Sequence, residues 1–407
     1  MLSPTPSSDP KSPPRFGHAL LAEFPLEPAA VYLNHGTVGV TPRAVMRARA
    51  AILDEIERHP ARFMIRELMQ LGMSAPPATP RLRKAAAVVA RFLGADGDGL
   101  VFVDNASSGI NAVLRSLALA PGDEILIHDH AYGGVVRAAE FIARACGARL
   151  TTATLPFPAR DPAEFVAAIE RALTPRTRVA LLDHVTSETA LVLPLAQMAA
   201  ACRERGVPVL VDGAHAPGAI ALDIAALGVD WYVANLHKWA FAPRSCGVLW
   251  AAPERRAGLH PGVLSWGVTS GDWLQEFDWT GTRDPSPWLA APAALDFMRE
   301  TLGIEAMRHH NHALACESAT LLAERWGRPW TTPESMIGCM VTVPLPERIG
   351  AGDASTAHAL RDALLERHAI EAQVIARDGG LWVRIGLQVY NELGDVERLA
   401  DAIDGLC

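Results

Sequence analysis

Between residues 100 and 251 the chain switches repeatedly between two hydrophobic periods. Short apolar runs read as strands: LVFVD ahead of Asn105, then Glu124–Asp129, Arg149–Leu155, Arg178–Val185, Pro208–Gly213, Trp231–Leu236 and Cys246–Ala251. Stretches with helical spacing separate them: Ser107–Ala118, Gly134–Cys146, Asp161–Leu173 and Leu195–Arg205. The third opens on Asp161-Pro162, a capping carboxylate followed by a proline whose fixed φ suits the first helical position. The fourth runs out at Gly206, suited to a left-handed C-cap. Strands alternating with helices of this length imply crossover connections and a mostly parallel sheet. Runs such as VALLDHV are apolar almost throughout, as strands covered on both faces must be. The expected fold class is α/β.

The texture changes near residue 280. Turn-rich GTRDPSPW leads into helical stretches around 289–326, then into short strands in MVTVPL and LWVRIGL with helices between. This predicts a large sheet domain over 16–280, whose first part also touches its neighbour, and a smaller α+β domain over 281–407. Residues 1–15 carry five prolines and four serines and no apolar stretch of a secretory signal, so a flexible tail is expected there. With 50% hydrophobic and 20% charged residues, the chain is no disordered scaffold. Its 45 acidic against 37 basic residues, with no long basic run, offer no dense patch for phosphates, so no nucleic-acid partner is expected. No apolar run is long enough for a membrane span. Six scattered cysteines without a C-x-x-C pair read as reduced thiols, which predicts a cytoplasmic protein.

In an open parallel sheet, ligands bind outside the carboxyl ends of the strands. Four expected strand ends carry costly polar groups: His128-Asp129-His130, Asp183-His184, Asp212 to His215, and Asn235 to Lys238. A lysine placed there is desolvated, which favours its neutral, nucleophilic amine. A nearby aspartate can hold a pyridinium nitrogen protonated. Lys238 and Asp212 thus supply what pyridoxal phosphate needs, although a structural ion pair would have the same spacing. Asn105-Ala106-Ser107-Ser108-Gly109 opens a helix with small residues and hydroxyls, either a phosphate cradle or an ordinary cap. Arg384, inward-facing in WVRIGL, suits bidentate capture of a carboxylate or a surface salt bridge. No metal is expected: His309, His310 and His312 are too close in sequence to chelate together on a helix. No Walker loop, dinucleotide fingerprint or G-x-S-x-G elbow is present.

The run VDGAHAPGAIALDIAALGVDWYVANLHKW resembles the signature of the class V aminotransferases, enzymes of the fold-type I pyridoxal-phosphate class. Resemblance extends from YLNHGTVGVTPRAV to WVRIGLQVYNELGDVERLADAI; LNHG, ERHPARF and WTGTRDPSPWLA resemble the isopenicillin N epimerase-like branch. The resemblance implies a large sheet domain and a smaller C-terminal domain. It implies pyridoxal 5′-phosphate bound to Lys238, with Asp212 at the ring nitrogen and His215 at the ring hydroxyl. Ala106, Ser107, Asn235 and His237 would hold the phosphate. His130 would stack on the ring, with Tyr132 in DHAYGG its rival for stacking or proton transfer. Thr186 and Ser187 stand where the family has polar cofactor contacts. Arg384 and His35 would bind a small-molecule amino-acid substrate. Thr282 would reach the phosphate of a neighbouring subunit, implying a homodimer with shared active sites. The expected reaction is epimerisation at Cα, with C–S lysis and then transamination as alternatives. Residues 368–380 lack the cysteine through which desulfurases work, so that chemistry is not expected. A non-catalytic cofactor sensor is disfavoured because Arg384 is retained and no DNA-binding extension accompanies the fold.

Overall fold

The computed structural model describes residues 16–70 and 79–406; the stretch expected to form a tail, 1–15, lies outside them. Seven strands build the main sheet: β1 (Leu100–Val103), β2 (Glu124–His128), β3 (Arg149–Ala153), β4 (Thr177–Asp183), β5 (Val209–Asp212), β6 (Trp231–Asn235) and β7 (Gly247–Ala251). Their spatial order is β1-β7-β6-β5-β4-β2-β3. All run parallel except β7, which is antiparallel to both β1 and β6. The reversal follows from the connection after β6, which is too short to contain a crossover helix.

Two-sided burial of this sheet is visible within single strands. In β4, Val179 and Leu181 join one apolar cluster, while Ala180 and Leu182 join the other. The first cluster also holds Ile110 and Val113 of helix Ala106–Ser116 and Val135 and Ala139 of helix Gly133–Cys146. The second holds Phe165 of helix Pro162–Ala172 and Met198 of helix Leu195–Glu204. Asp161 caps its helix by accepting the Ala163 N–H, as its position before proline predicts.

A second, antiparallel sheet is formed by β8 (Met340–Pro344), β9 (Gln373–Arg377) and β10 (Gly380–Gly386), in the order β9-β10-β8. Its core includes Leu314 and Leu322 of helix Ile304–Trp326, together with Val31 and Leu33 from the start of the chain. Val31–Tyr32 pairs in parallel with Ile370–Glu371. Residues from Trp288 to Met307 pack instead with the core of the main sheet. The N-terminal strand therefore brings Asn34 and Thr37 to the boundary between the two sheets. Among the described residues no helix is long and apolar enough to cross a membrane.

Candidate active site

Four strands side by side, β6, β5, β4 and β2, end in Asn235, Asp212, Asp183 and His128. All four side chains are buried. Beyond them lies a cavity of about 170 Å³ whose wall includes Lys238, Asp212, Asp183, His215, Asn235, His237, Ala106, Ser107, Thr37, Ser187 and Tyr132.

Lys238 stands in the tight reversal between β6 and β7, where Phe241 and Ser245 adopt left-handed backbone angles. Gly39 packs against this reversal at positive φ, so closely that a Cβ there would strike the His237 carbonyl. The Lys238 Nζ lies 2.9 Å from His215 Nε2. The other ring nitrogen of His215 accepts the Trp239 indole N–H at 3.3 Å. A neutral His215 consequently carries its proton on Nε2 and donates it to the lysine, which must present a lone pair. Burial, and then repulsion by Arg384, lower the Lys238 pKa, and Asp212 and Asp183 oppose them. Burial, and then Lys238, hold His215 well below the usual imidazole range. Asp212 is pushed up by burial and by neighbouring Asp183, while its Oδ1 accepts the Ala214 N–H at 3.0 Å.

One end of the cavity is built at the N-terminus of helix Ala106–Ser116. Asn105 caps it by accepting the Ser108 N–H, and Asn235 accepts the Ala106 N–H at 2.8 Å. Ser107 lies between these occupied amides and lines the cavity. Gly109 lets this helix close onto β6, because a Cβ there would run into Val233. His237 donates through Nδ1 to the Cys246 carbonyl at 3.2 Å, and burial lowers its pKa to about 4. In that neutral form its Nε2 bears no proton. The expected role as a phosphate donor therefore requires the anion itself to protonate the ring.

Arg384, only 4% exposed, reaches the same cavity region from β10. It donates to the Ser187 carbonyl at 2.7 Å, to Asn34 Oδ1 at 3.0 Å and to Thr37 Oγ1 at 2.8 Å. Its Nε is buried without a partner, and burial lowers its pKa to about 10. Asn34 lies within the LNHG phrase and Thr37 directly follows it, but neither was singled out by sequence; their service to Arg384 depends on segments far apart in sequence.

Two expected placements are corrected. His35 does not face a substrate: it is fully buried, with Nδ1 2.8 Å from the Tyr390 hydroxyl and Nε2 3.0 Å from the Lys238 carbonyl. It braces the lysine's backbone. His130 does not line the cavity; it is buried behind it, with Nδ1 2.8 Å from Thr189 Oγ1. Tyr132, 49% exposed, occupies the cavity wall. Thr282 is exposed and borders no part of the Lys238 cavity in its own chain. Thr186 is buried, holding Thr189 Oγ1 and the Leu191 N–H. Cys246 is buried and burial pushes its thiol up, in keeping with a core residue. His312 does meet ligand-type groups, Cys316 and Glu334, but the Glu334 side chain is 80% exposed and the contact is an ion pair at 3.3 Å with a thiol beside it.

A lysine with a lone pair, a carboxylate at a strand end, a helix N-terminus between them and a buried guanidinium define a pyridoxal-phosphate site on a fold-type I scaffold. The fit rests on buried polar atoms without a hydrogen-bond partner, Arg384 Nε and Asp183 Oδ1, and on a cavity wall whose carboxylates, Asp212 and Asp183, suit a ring with a basic nitrogen. The chain belongs to the aminotransferase class-V family, whose model matches residues 31–399. It is 36% identical to the isopenicillin N epimerase of Streptomyces clavuligerus over 94% of this chain and 96% of that one. It is 33% identical to the "Probable L-cysteine desulfhydrase, chloroplastic" of Arabidopsis thaliana, over 93% and 83% of the two chains. In fold it is similar to a mutant of C-DES with glycine covalently linked to its pyridoxal-phosphate cofactor, with TM-score 0.76, 22% identity, and 94% and 98% coverage. The protein is a pyridoxal-phosphate-dependent enzyme.

Proposed function

We propose that the enzyme withdraws the α-proton of an amino acid and returns it to the opposite face, an epimerisation at Cα. Pyridoxal phosphate, when bound, supplies the electron sink that makes this proton acidic. The chain's residues do the rest. Arg384 holds the substrate carboxylate, and its orientation is set by Asn34, Thr37 and Ser187. Lys238 takes the proton with the lone pair that His215 faces. Asp212 keeps a proton at the ring nitrogen. Tyr132 is the second proton carrier, because it lines the cavity where His130 does not; this is the observation that carries the reading.

Similarity to a cysteine desulfhydrase at 33% identity favours a second reading, C–S lysis by β-elimination, which needs Lys238 alone. Tyr132→Phe separates the two. In deuterated water with L-amino acids it is expected to lower the yield of inverted product about 100-fold while α-proton exchange persists. Release of pyruvate, ammonia and sulfide, unaffected by the substitution and without inverted product, would sink epimerisation and establish elimination.

The active enzyme is proposed to be a homodimer. Support comes from the segment after β7, where Val263, Leu264 and Trp266 are exposed, the tryptophan by 84%. That segment borders a second cavity, which shares Ser107 with the first and is also lined by Thr280 and Arg283. Thr282 lies between these two residues in the chain and would reach the partner's phosphate site. Trp266→Ser is expected to shift the protein towards monomer in sedimentation and to weaken cofactor retention. An unchanged dimer dissociation constant would count against this surface.

A further inference from the structure

The row of polar strand ends contains one more carboxylate than the chemistry above uses. Asp183 and Asp212 are register partners on adjacent parallel strands, so their side chains leave the sheet on one face, and both line the cavity. Asp183 is buried, and among the described residues its Oδ1 has no hydrogen-bond partner. His128, on the other flank, does not supply one. Its Nε2 lies 3.3 Å from Asp183 Oδ1, yet the Asp183 backbone N–H donates to that same nitrogen at 3.1 Å. Nε2 is therefore an acceptor and carries no proton for the carboxylate.

The other titratable neighbours leave Asp183 equally unpaired. His184, next on the strand, turns its Nδ1 to the Tyr232 hydroxyl at 2.8 Å. Asp212 is a like charge, and Lys238 is engaged with His215. A buried carboxylate with neither donor nor cation is costly, and such groups persist where a ligand completes them. The ligand this cavity accepts carries one protonatable ring nitrogen, over a wall with two carboxylates.

We propose that Asp183 is a positioning residue for the cofactor ring: a second carboxylate beside Asp212 that strengthens the site's hold on the ring-nitrogen proton. Asp212 makes the contact, and Asp183 acts through it by adding negative charge on the adjacent strand. The inference rests on the cofactor and not on the choice between epimerisation and elimination, so its failure would leave that choice open.

Asp183→Asn keeps the shape of the side chain and removes its charge. Spectroscopic titration of the variant loaded with pyridoxal phosphate is expected to show the pH midpoint of the visible band lowered by about one unit, and cofactor affinity about tenfold weaker. Asp183→Ser should lower the midpoint in the same direction, which guards against a peculiarity of one variant. With a carbocyclic analogue, in which CH replaces the ring nitrogen, wild type and Asp183→Asn are expected to bind equally. A wild-type midpoint in both variants, or the same tenfold loss with the carbocyclic analogue, would overturn the proposal and leave Asp183 as part of the wall.

Discussion

Lys238→Ala protein is expected to stay colourless when mixed with pyridoxal phosphate, while the parent turns yellow, and its turnover is expected to fall on the order of ten-thousand-fold. Both effects have one cause. Among the described residues the lysine is the only amine in the cavity wall, and the structure invests much in its position: a reversal with two residues in left-handed conformation, a glycine packed against it, and His35 under its carbonyl. Burial and then Arg384 lower its pKa and so favour the neutral amine, against Asp212 and Asp183. An ordinary exposed lysine would be almost wholly protonated at neutral pH. Cofactor uptake by the apoprotein should accordingly proceed near neutrality and slow as the pH falls and the amine is protonated. Absorbance spectra and stopped-flow mixing across pH test this. A variant that retains the visible band, or uptake that begins only under strongly alkaline conditions, would refute the assignment. Partial recovery of α-proton exchange by added small amines would identify the lost group as the base.

Arg384→Gln is expected to raise KM for the amino acid about 100-fold, equivalent to about 3 kcal/mol, while the cofactor band remains. Removal of the guanidinium takes away a buried cation placed to meet a carboxylate, leaves the Ser187 carbonyl without its Arg384 donor, and leaves Asn34 Oδ1 with the Thr37 hydroxyl alone. Arg384→Lys should recover little, because an ammonium cannot reproduce the planar fork that Asn34, Thr37 and Ser187 hold. Steady-state kinetics with the amino acid and with its decarboxylated amine separates the causes. The amine should bind wild type and variant alike; an equal loss for both would mean that Arg384 shapes the site without binding the carboxylate.

Much of this architecture was legible in the chain. All-apolar runs such as VALLD announced strands covered on both sides, and those strands formed nearly where the pattern placed them. Lys238 and Asp212 were legible because a charged residue ending an apolar strand is improbable without a task. The antiparallel direction of β7 was not among the expectations and came from the structure, where the connection after β6 has no room for a helix. His35 and His130 were misplaced for a shared reason: a histidine beside a motif can face a ligand or brace the residues that do. Sequence spacing carries no information about which ring nitrogen meets which carbonyl.

Local chemistry along the chain thus determined the α/β fold, the strand-end lysine and aspartate proposed to bind the cofactor, the capped helix that borders the cavity, and the arginine suited to a carboxylate. Those features depend on period, capping and polarity, which are properties of neighbouring residues. Only the tertiary structure decided that Asn34, Thr37 and Ser187 converge on Arg384, that Tyr132 and not His130 lines the cavity, and that Asp183 lies beside Asp212. Each of these is a contact between segments brought together by strand order and by an N-terminal strand crossing to the second sheet. Such pairings are set by how faces pack, and hydrophobic period specifies that a face is buried without naming its partner.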